Sequence, residues 1–200
     1  MPVRNIVKQY DAPAYYHVYN RGSNDASIFL DDDDRAKFLA LIERYIVSGS
    51  ELRSDGVPYS TYDIEVIAYC LMGNHFHLLL YQSDDPLAIT GFMRSVATAY
   101  TMYFNYKYKH HGHLFQSVFK ASRISDDIYL LHVTRYIHMN PRSYLRYEWS
   151  SLKYYLGSSE PEWLNSGRVN NMNTDQYKTF LCEYEGKKGE QELLKSHLAG

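Results

Sequence analysis

The sequence predicts an α+β protein, a ferredoxin-like split βαβ fold with helices packed on one face of an antiparallel sheet and a C-terminal helical extension. Three observations lead there. Strand-like and helix-like patterns follow one another in the order β-α-β-β-α-β-α. Two apolar runs in the middle are separated only by Gly73-Asn74, a hairpin spacing. The helical stretches open on acidic or hydroxyl residues suited to capping. Residues 1–148 are read as the domain carrying these elements and 149–200 as the extension.

Ala14 to Arg21 (AYYHVYNR) is aromatic and β-branched and is bounded by Gly22, so it reads as a strand. Asp31 to Asp34 precede a helical pattern with Phe38, Leu39, Ile42, Tyr45 and Ile46. Acids in a first turn complement the helix dipole, so this charge run is a helix start and not a metal site. Ser48-Gly49-Ser50 ends the helix, and Arg53 to Ser60 reads as a loop.

Thr61 to Met72 and His75 to Gln82 form the hairpin. Asp84-Asp85-Pro86 then opens a helix running to about Lys109, with Phe92, Met93, Val96, Tyr100, Tyr103 and Phe104 on one face. His113 to Ile124 alternates approximately and predicts a strand. Ser125-Asp126-Asp127 caps a helix whose apolar arc is Leu130, Val133, Thr134 and Ile137. Its neighbouring arc carries Tyr129, His132, Tyr136 and Asn140, and Pro141 stops it. Beyond Trp149 the pattern predicts a short helix to Leu156, a loop over Gly157 to Asn173 and a helix over Thr174 to Glu183.

Two hundred residues at 45% hydrophobic content can bury one sizeable core. No apolar run is long enough to span a membrane, Met1 to Asn5 lacks a signal-peptide core, and Cys70 and Cys182 read as separate reduced thiols. A cytoplasmic protein is expected. Net charge is only −2, yet Leu87 to Ser125 holds Arg94, Lys107, Lys109, Lys120 and Arg123 and no acid, with tyrosines interleaved. Such a surface suits single-stranded nucleic acid, where cations follow phosphates and rings stack on bases. A solvated helix face with core tyrosines fits the same composition.

The chemistry concentrates in His75-Phe76-His77 and in Tyr136 to Pro141. In a strand the two imidazoles point the same way and Phe76 the other. Two such histidines in an apolar strand cost desolvation unless they gain a partner, so a metal is a natural reading beside that of inert, hydrogen-bonded histidines. Asn140 can supply a third ligand through its carbonyl oxygen, and imidazole with amide oxygen and water suits Mg²⁺ or Mn²⁺, or another first-row ion. Tyr136 lies one turn before Asn140 and is therefore held beside the same ion. A free phenol has a pKa of about 10, so its attack at neutral pH needs an activated electrophile and a proton acceptor. Ligation needs neutral imidazoles, so activity is expected to fall below about pH 6.5.

In order along the chain, AYYHVYNRGSNDASIFLDDDDRAKFL, GNHFHLLL, GHLFQSVFKA, YIHMNP and YEWSSLKYYLG resemble the single-tyrosine HUH transposases, and among them the REP-associated tyrosine transposases. The similarity runs from about Ala14 to Glu185. It implies a metal-dependent tyrosine DNA transesterase that cuts and rejoins single-stranded, hairpin-bearing DNA. His75, His77 and Asn140 would hold the metal, and Tyr136 would form a 5′-phosphotyrosine and free a 3′-hydroxyl. The family commonly follows Asn-Pro with Val-Arg-Ala-Gly, whereas this chain reads Asn140-Pro141-Arg142-Ser143-Tyr144-Leu145. Some members are homodimers that exchange the tyrosine helix and others act as monomers, so both states stay open. The alternative is a catalytically silent relative that only binds single-stranded DNA hairpins. A histidine-triad hydrolase is disfavoured, because its third same-face position is Leu79.

Overall fold

The computed structural model describes residues 10–49 and 51–185. Residues 1–9, with the Met1 to Asn5 segment, residue 50 and residues 186–200 lie outside the described residues. Four strands, β1 (Ala14–Arg21), β2 (Ile64–Leu71), β3 (His75–Gln82) and β4 (Lys120–Ile124), form one sheet in the order β2-β3-β1-β4, with every pairing antiparallel. The helices are α1 (Asp32–Arg44), α2 (Ala88–Tyr108), α3 (Asp127–His138), the single-turn α4 (Leu152–Tyr155) and α5 (Thr174–Glu185). The order and pairing are those of the split βαβ arrangement.

Helix α1 begins where the acids predicted. Asp31 accepts from the Asp34 backbone N–H, and Asp34 reaches back to the Asp31 N–H, a reciprocal capping box. Helix α2 starts two residues later than Pro86 suggested, with the Asp85 carboxylate accepting from the Leu87 N–H. The fourth strand is shorter than expected. Residues 113–119 run irregularly past the end of β1, which they meet through the Gly22–Phe115 bridge and the Gln116 N–H donated to Arg21.

The sheet is covered on both faces. α1 and α2 lie on one, where Phe38, Phe92, Val96 and Tyr100 pack on Tyr16, Val18, Phe76, Leu78 and Leu80. α3 lies on the other, where Leu130, Val133 and Ile137 pack on Ile67, Ala68, Cys70 and Leu79. So the one-sided cover holds for the first two helices but not for α3. A bulge in β2 between Val66 and Ala68 supports this second layer. The extra residue lets Ile67 and Ala68 both contribute to the α3 face.

The segment after Trp149 is stitched to the β2 edge. Leu71 and Ser151 N–H groups donate to Trp149 and Tyr69 carbonyls, the Asn165 N–H donates to Val66, and Leu164 bridges Val66 in parallel. Open donors and acceptors of an edge strand are thus satisfied within the chain. α5 then packs behind α3: the Tyr177 hydroxyl lies 2.9 Å from Thr134 Oγ1 and 2.8 Å from His138 Nδ1, and His138 Nε2 is 2.7 Å from Ser151 Oγ.

Asp34 is fully buried where α1 meets α2. It takes the Leu30 and Asp31 N–H groups, the Tyr103 and Tyr108 hydroxyls and the Lys107 ammonium at 2.8 Å. Burial alone would raise its carboxyl, but the bonds from Lys107, Leu30 and Tyr108 outweigh burial and hold it below the usual carboxylate range. Asp34→Ala strands these donors together, and should destabilise the fold by about 3 kcal/mol. Urea unfolding of the variant beside wild type measures this, and a change below about 1 kcal/mol would show the cluster to be dispensable.

Candidate active site

Alternation along β3 directs His75 and His77 to the sheet face that α3 covers, as their spacing required. Register places Arg21 opposite His75 and Tyr19 opposite His77. Cross-strand partners share a face, and so do residues two apart, so His17 sits on this face diagonal to His77. Nε2 of His17 is 2.9 Å from Nδ1 of His77. The ring planes are within 16° and the centroids 5.0 Å apart. Nitrogens so much closer than centroids mean that the rings meet edge to edge, as a hydrogen bond requires, and not face to face.

His75 has a similar pair of neighbours. Its Nδ1 lies 2.6 Å from Oδ1 of Asn74, and its Nε2 lies 3.1 Å from Oδ1 of Asn140. A neutral imidazole has one N–H. Donated to the nearer oxygen, that of Asn74, it leaves a lone pair on Nε2 facing the oxygen of Asn140. Two lone pairs at that separation repel unless a cation stands before both or the Asn140 amide turns its N–H₂ toward Nε2.

Helix α3 delivers the other two residues. Its start is fixed by Asp126, which accepts from the Tyr129 N–H, and its apolar arc seats it on the sheet. Tyr136 is then half-buried, its ring edge-on to His77 at 5.6 Å and to His17 at 5.9 Å. The helix ends at His138, so Asn140 lies in the turn just beyond it, before Pro141. The sequence placed Asn140 on the helix itself. Its contact with His75 survives because the turn continues the same arc, with the Asn140 N–H 3.4 Å from the Ile137 carbonyl.

Burial sets the electrostatics. It lowers the pKa of His75, lowers that of His77 further with help from His17, His75 and Arg21, and pushes His17 down to about 3. All three imidazoles are neutral at pH 7 and keep a lone pair. Among the described residues no group of three or more His, Cys, Asp or Glu has the geometry of a metal site. The donors offered are instead two imidazoles and one amide oxygen. Ligands at right angles in an octahedral shell of about 2.1 Å radius lie about 3 Å apart. The 3.1 Å between His75 Nε2 and Asn140 Oδ1 fits two neighbouring positions of such a shell, with water completing it.

The five basic residues singled out for DNA are not brought together. Lys120 pairs with Tyr19 and shares the histidine face, its ammonium 5.7 Å over the Tyr19 ring. Arg123 pairs with Tyr16 on the opposite face and meets Asp11 at 3.0 Å. Arg94 and Lys107 belong to α2, behind the sheet. Arg94 borders a groove with Lys37, Arg44 and Tyr59, and Lys107 is spent on Asp31 and Asp34. Lys109 ends α2 in a left-handed conformation with its ammonium 4.7 Å from the Tyr106 ring. The sequence reading missed His17, Asn74 and Arg21. The alternation of AYYHVYNR already grouped Tyr15, His17, Tyr19 and Arg21 on one face, but only the register joins that face to His77.

Residues 58–140 match the family model of IS200-like transposases. No curated protein matches the chain in sequence. Among solved structures, a REP-associated tyrosine transposase bound to a REP hairpin superposes with a TM-score of 0.56 at 13% identity, over 85% of this chain and 95% of that one. At that identity the likeness shows a common fold. No helix among the described residues is long and apolar enough to cross a membrane.

His17, His77 and His138 share a consequence. Burial lowers all three, His138 to about 3. An unfolded chain takes up these protons below about pH 6.5, while the folded chain refuses them until far lower. Protons therefore favour the unfolded state in that window, by roughly 1 kcal/mol per pH unit for each histidine. Calorimetry should find the melting midpoint falling steadily from about pH 6.5 to about pH 5. A flat midpoint there would contradict the neutral burial of these side chains.

Proposed function

Because residues 58–140 match the family model of IS200-like transposases, we propose that the chain is a metal-dependent DNA transesterase that cuts and rejoins single-stranded, hairpin-bearing DNA through Tyr136. One observation carries the reading: a single helix and the turn after it bring Tyr136 within 5.6 Å of the His77 ring and Asn140 within 3.1 Å of His75. The fold shared with a hairpin-bound transposase supports the choice of substrate.

His75, His77 and Asn140 would hold a divalent ion such as Mg²⁺ or Mn²⁺, which when bound supplies charge to polarise a phosphate oxygen. The chain's residues do the rest. α3 sets the Tyr136 ring edge-on to the imidazoles of His77 and His17, from where its oxygen would attack phosphorus in line. A bond forms between Tyr136 Oη and phosphorus, the bond from phosphorus to the 3′-oxygen breaks, and the phenol proton is lost as the leaving 3′-oxygen gains one. The product is a 5′-phosphotyrosine with a free 3′-hydroxyl. Attack by a different 3′-hydroxyl reverses these steps and restores Tyr136, and the ester energy is conserved throughout. Lys120, on the same face at the β4 edge, would meet the phosphates of the bound strand, and Arg21 beside it would do so only by leaving its 3.0 Å pairing with Asp25.

The test is a denaturing gel after incubation with labelled hairpin-bearing single strands and Mn²⁺. Wild type should carry the label, and Tyr136→Phe or added EDTA should abolish it while binding persists. Label retained by Tyr136→Phe overturns the assignment. Salt-sensitive binding without any adduct, over strands drawn from the DNA beside its own gene, favours the silent hairpin-binding alternative.

The pH dependence follows from burial. His75 and His77 are both lowered, so the acid limb of adduct formation belongs below pH 6.5, not at it as the unperturbed value suggested. Rates measured across pH 5 to 8 should place the half-point under 6.5. A half-point at or above that value would contradict ligation by His75 and His77.

A further inference from the structure

His17 has no part in the reaction proposed above. It is 1% exposed, and its Nδ1 is buried without a hydrogen-bond partner among the described residues. Leaving a buried nitrogen unsatisfied costs stability, and a phenylalanine or leucine would fill the same space without that cost. What His17 gains in return is one bond, between its Nε2 and His77 Nδ1.

That bond holds a single proton, because both rings are neutral. The proton can sit in two ways. If it belongs to His17, then His77 carries its own hydrogen on Nε2 and has no lone pair there. If it belongs to His77 Nδ1, then Nε2 of His77 is bare. His75 repeats the second pattern, with its Nδ1 backed by Asn74 Oδ1 at 2.6 Å and its Nε2 turned to Asn140. An acceptor behind Nδ1 of each histidine leaves both Nε2 atoms available together. Ligand histidines generally need such a partner to fix tautomer and ring orientation.

Resting on the metal reading above, we propose that His17 is a positioning residue: it accepts the Nδ1 hydrogen of His77 and so keeps Nε2 of His77 bare for a divalent cation. His17 does not touch the ion or the DNA. It acts through the tautomer of its neighbour.

The tautomer can be read directly. Long-range ¹H–¹⁵N correlation spectra of the metal-free protein near pH 7.5 should show His77 protonated at Nδ1. In His17→Phe, which fills the space without an acceptor, the His77 hydrogen should move toward Nε2. Mn²⁺ affinity, followed by electron paramagnetic resonance, should then fall by about 10- to 100-fold. His17→Gln, whose amide oxygen reaches the place of Nε2, should restore the tautomer and most of the affinity. Loss of packing alone would not be rescued in this way. An Nε2-protonated His77 in wild type overturns the proposal without needing any variant. So does a His17→Phe protein whose His77 tautomer and Mn²⁺ affinity match wild type. Absence of Mn²⁺ binding by wild type overturns the metal reading beneath it. A DNA adduct that persists in Tyr136→Phe would touch only the nucleophile assignment.

Discussion

Dehydration of β3 on both faces is the constraint from which the rest of the structure follows. Its neighbours β2 and β1 supply backbone partners on either side, α1 and α2 cover Phe76, Leu78 and Leu80, and α3 covers His77 and Leu79. Only His75 and Tyr81, near its two ends, keep partial contact with solvent. Two imidazoles set into it must be neutral, since a buried charge would cost far more than a shifted pKa. They must also find partners, and these come from His17, Asn74 and Asn140. The chemistry of the site is thus a consequence of where the core was built.

Short-range features of this arrangement are legible in the sequence, and long-range ones are not. The His-x-His alternation and the four-residue step from Tyr136 to Asn140 are local periodicities, and the structure retains both. The element order and the acidic cap of α1 follow for the same reason. The side of the sheet chosen by α3 is not local: it depends on the β2 bulge that presents Ile67 and Ala68 together. His17 was hidden because its partner lies 60 residues away and is found only through the strand register.

Lys107 teaches the same lesson in reverse. Within its own stretch it is a cation with no acid nearby, the pattern of a nucleic-acid surface. In three dimensions Asp31 and Asp34, more than 70 residues earlier, reach it from α1 at 2.8 Å. Charge counted along a window says little about charge exposed on a face. The retained Lys120 differs because β4 is an edge strand and its partner across the ladder is an aromatic ring rather than a carboxylate.

The fastening of α3 has a kinetic meaning. His138 near its end is bonded to Ser151 beside β2 and to Tyr177 of α5, so the helix is pinned to its own sheet and its own C-terminal segment. Tyr136 and the imidazoles are then held together by these bonds within the structure, and their spacing can change only as fast as the bonds open.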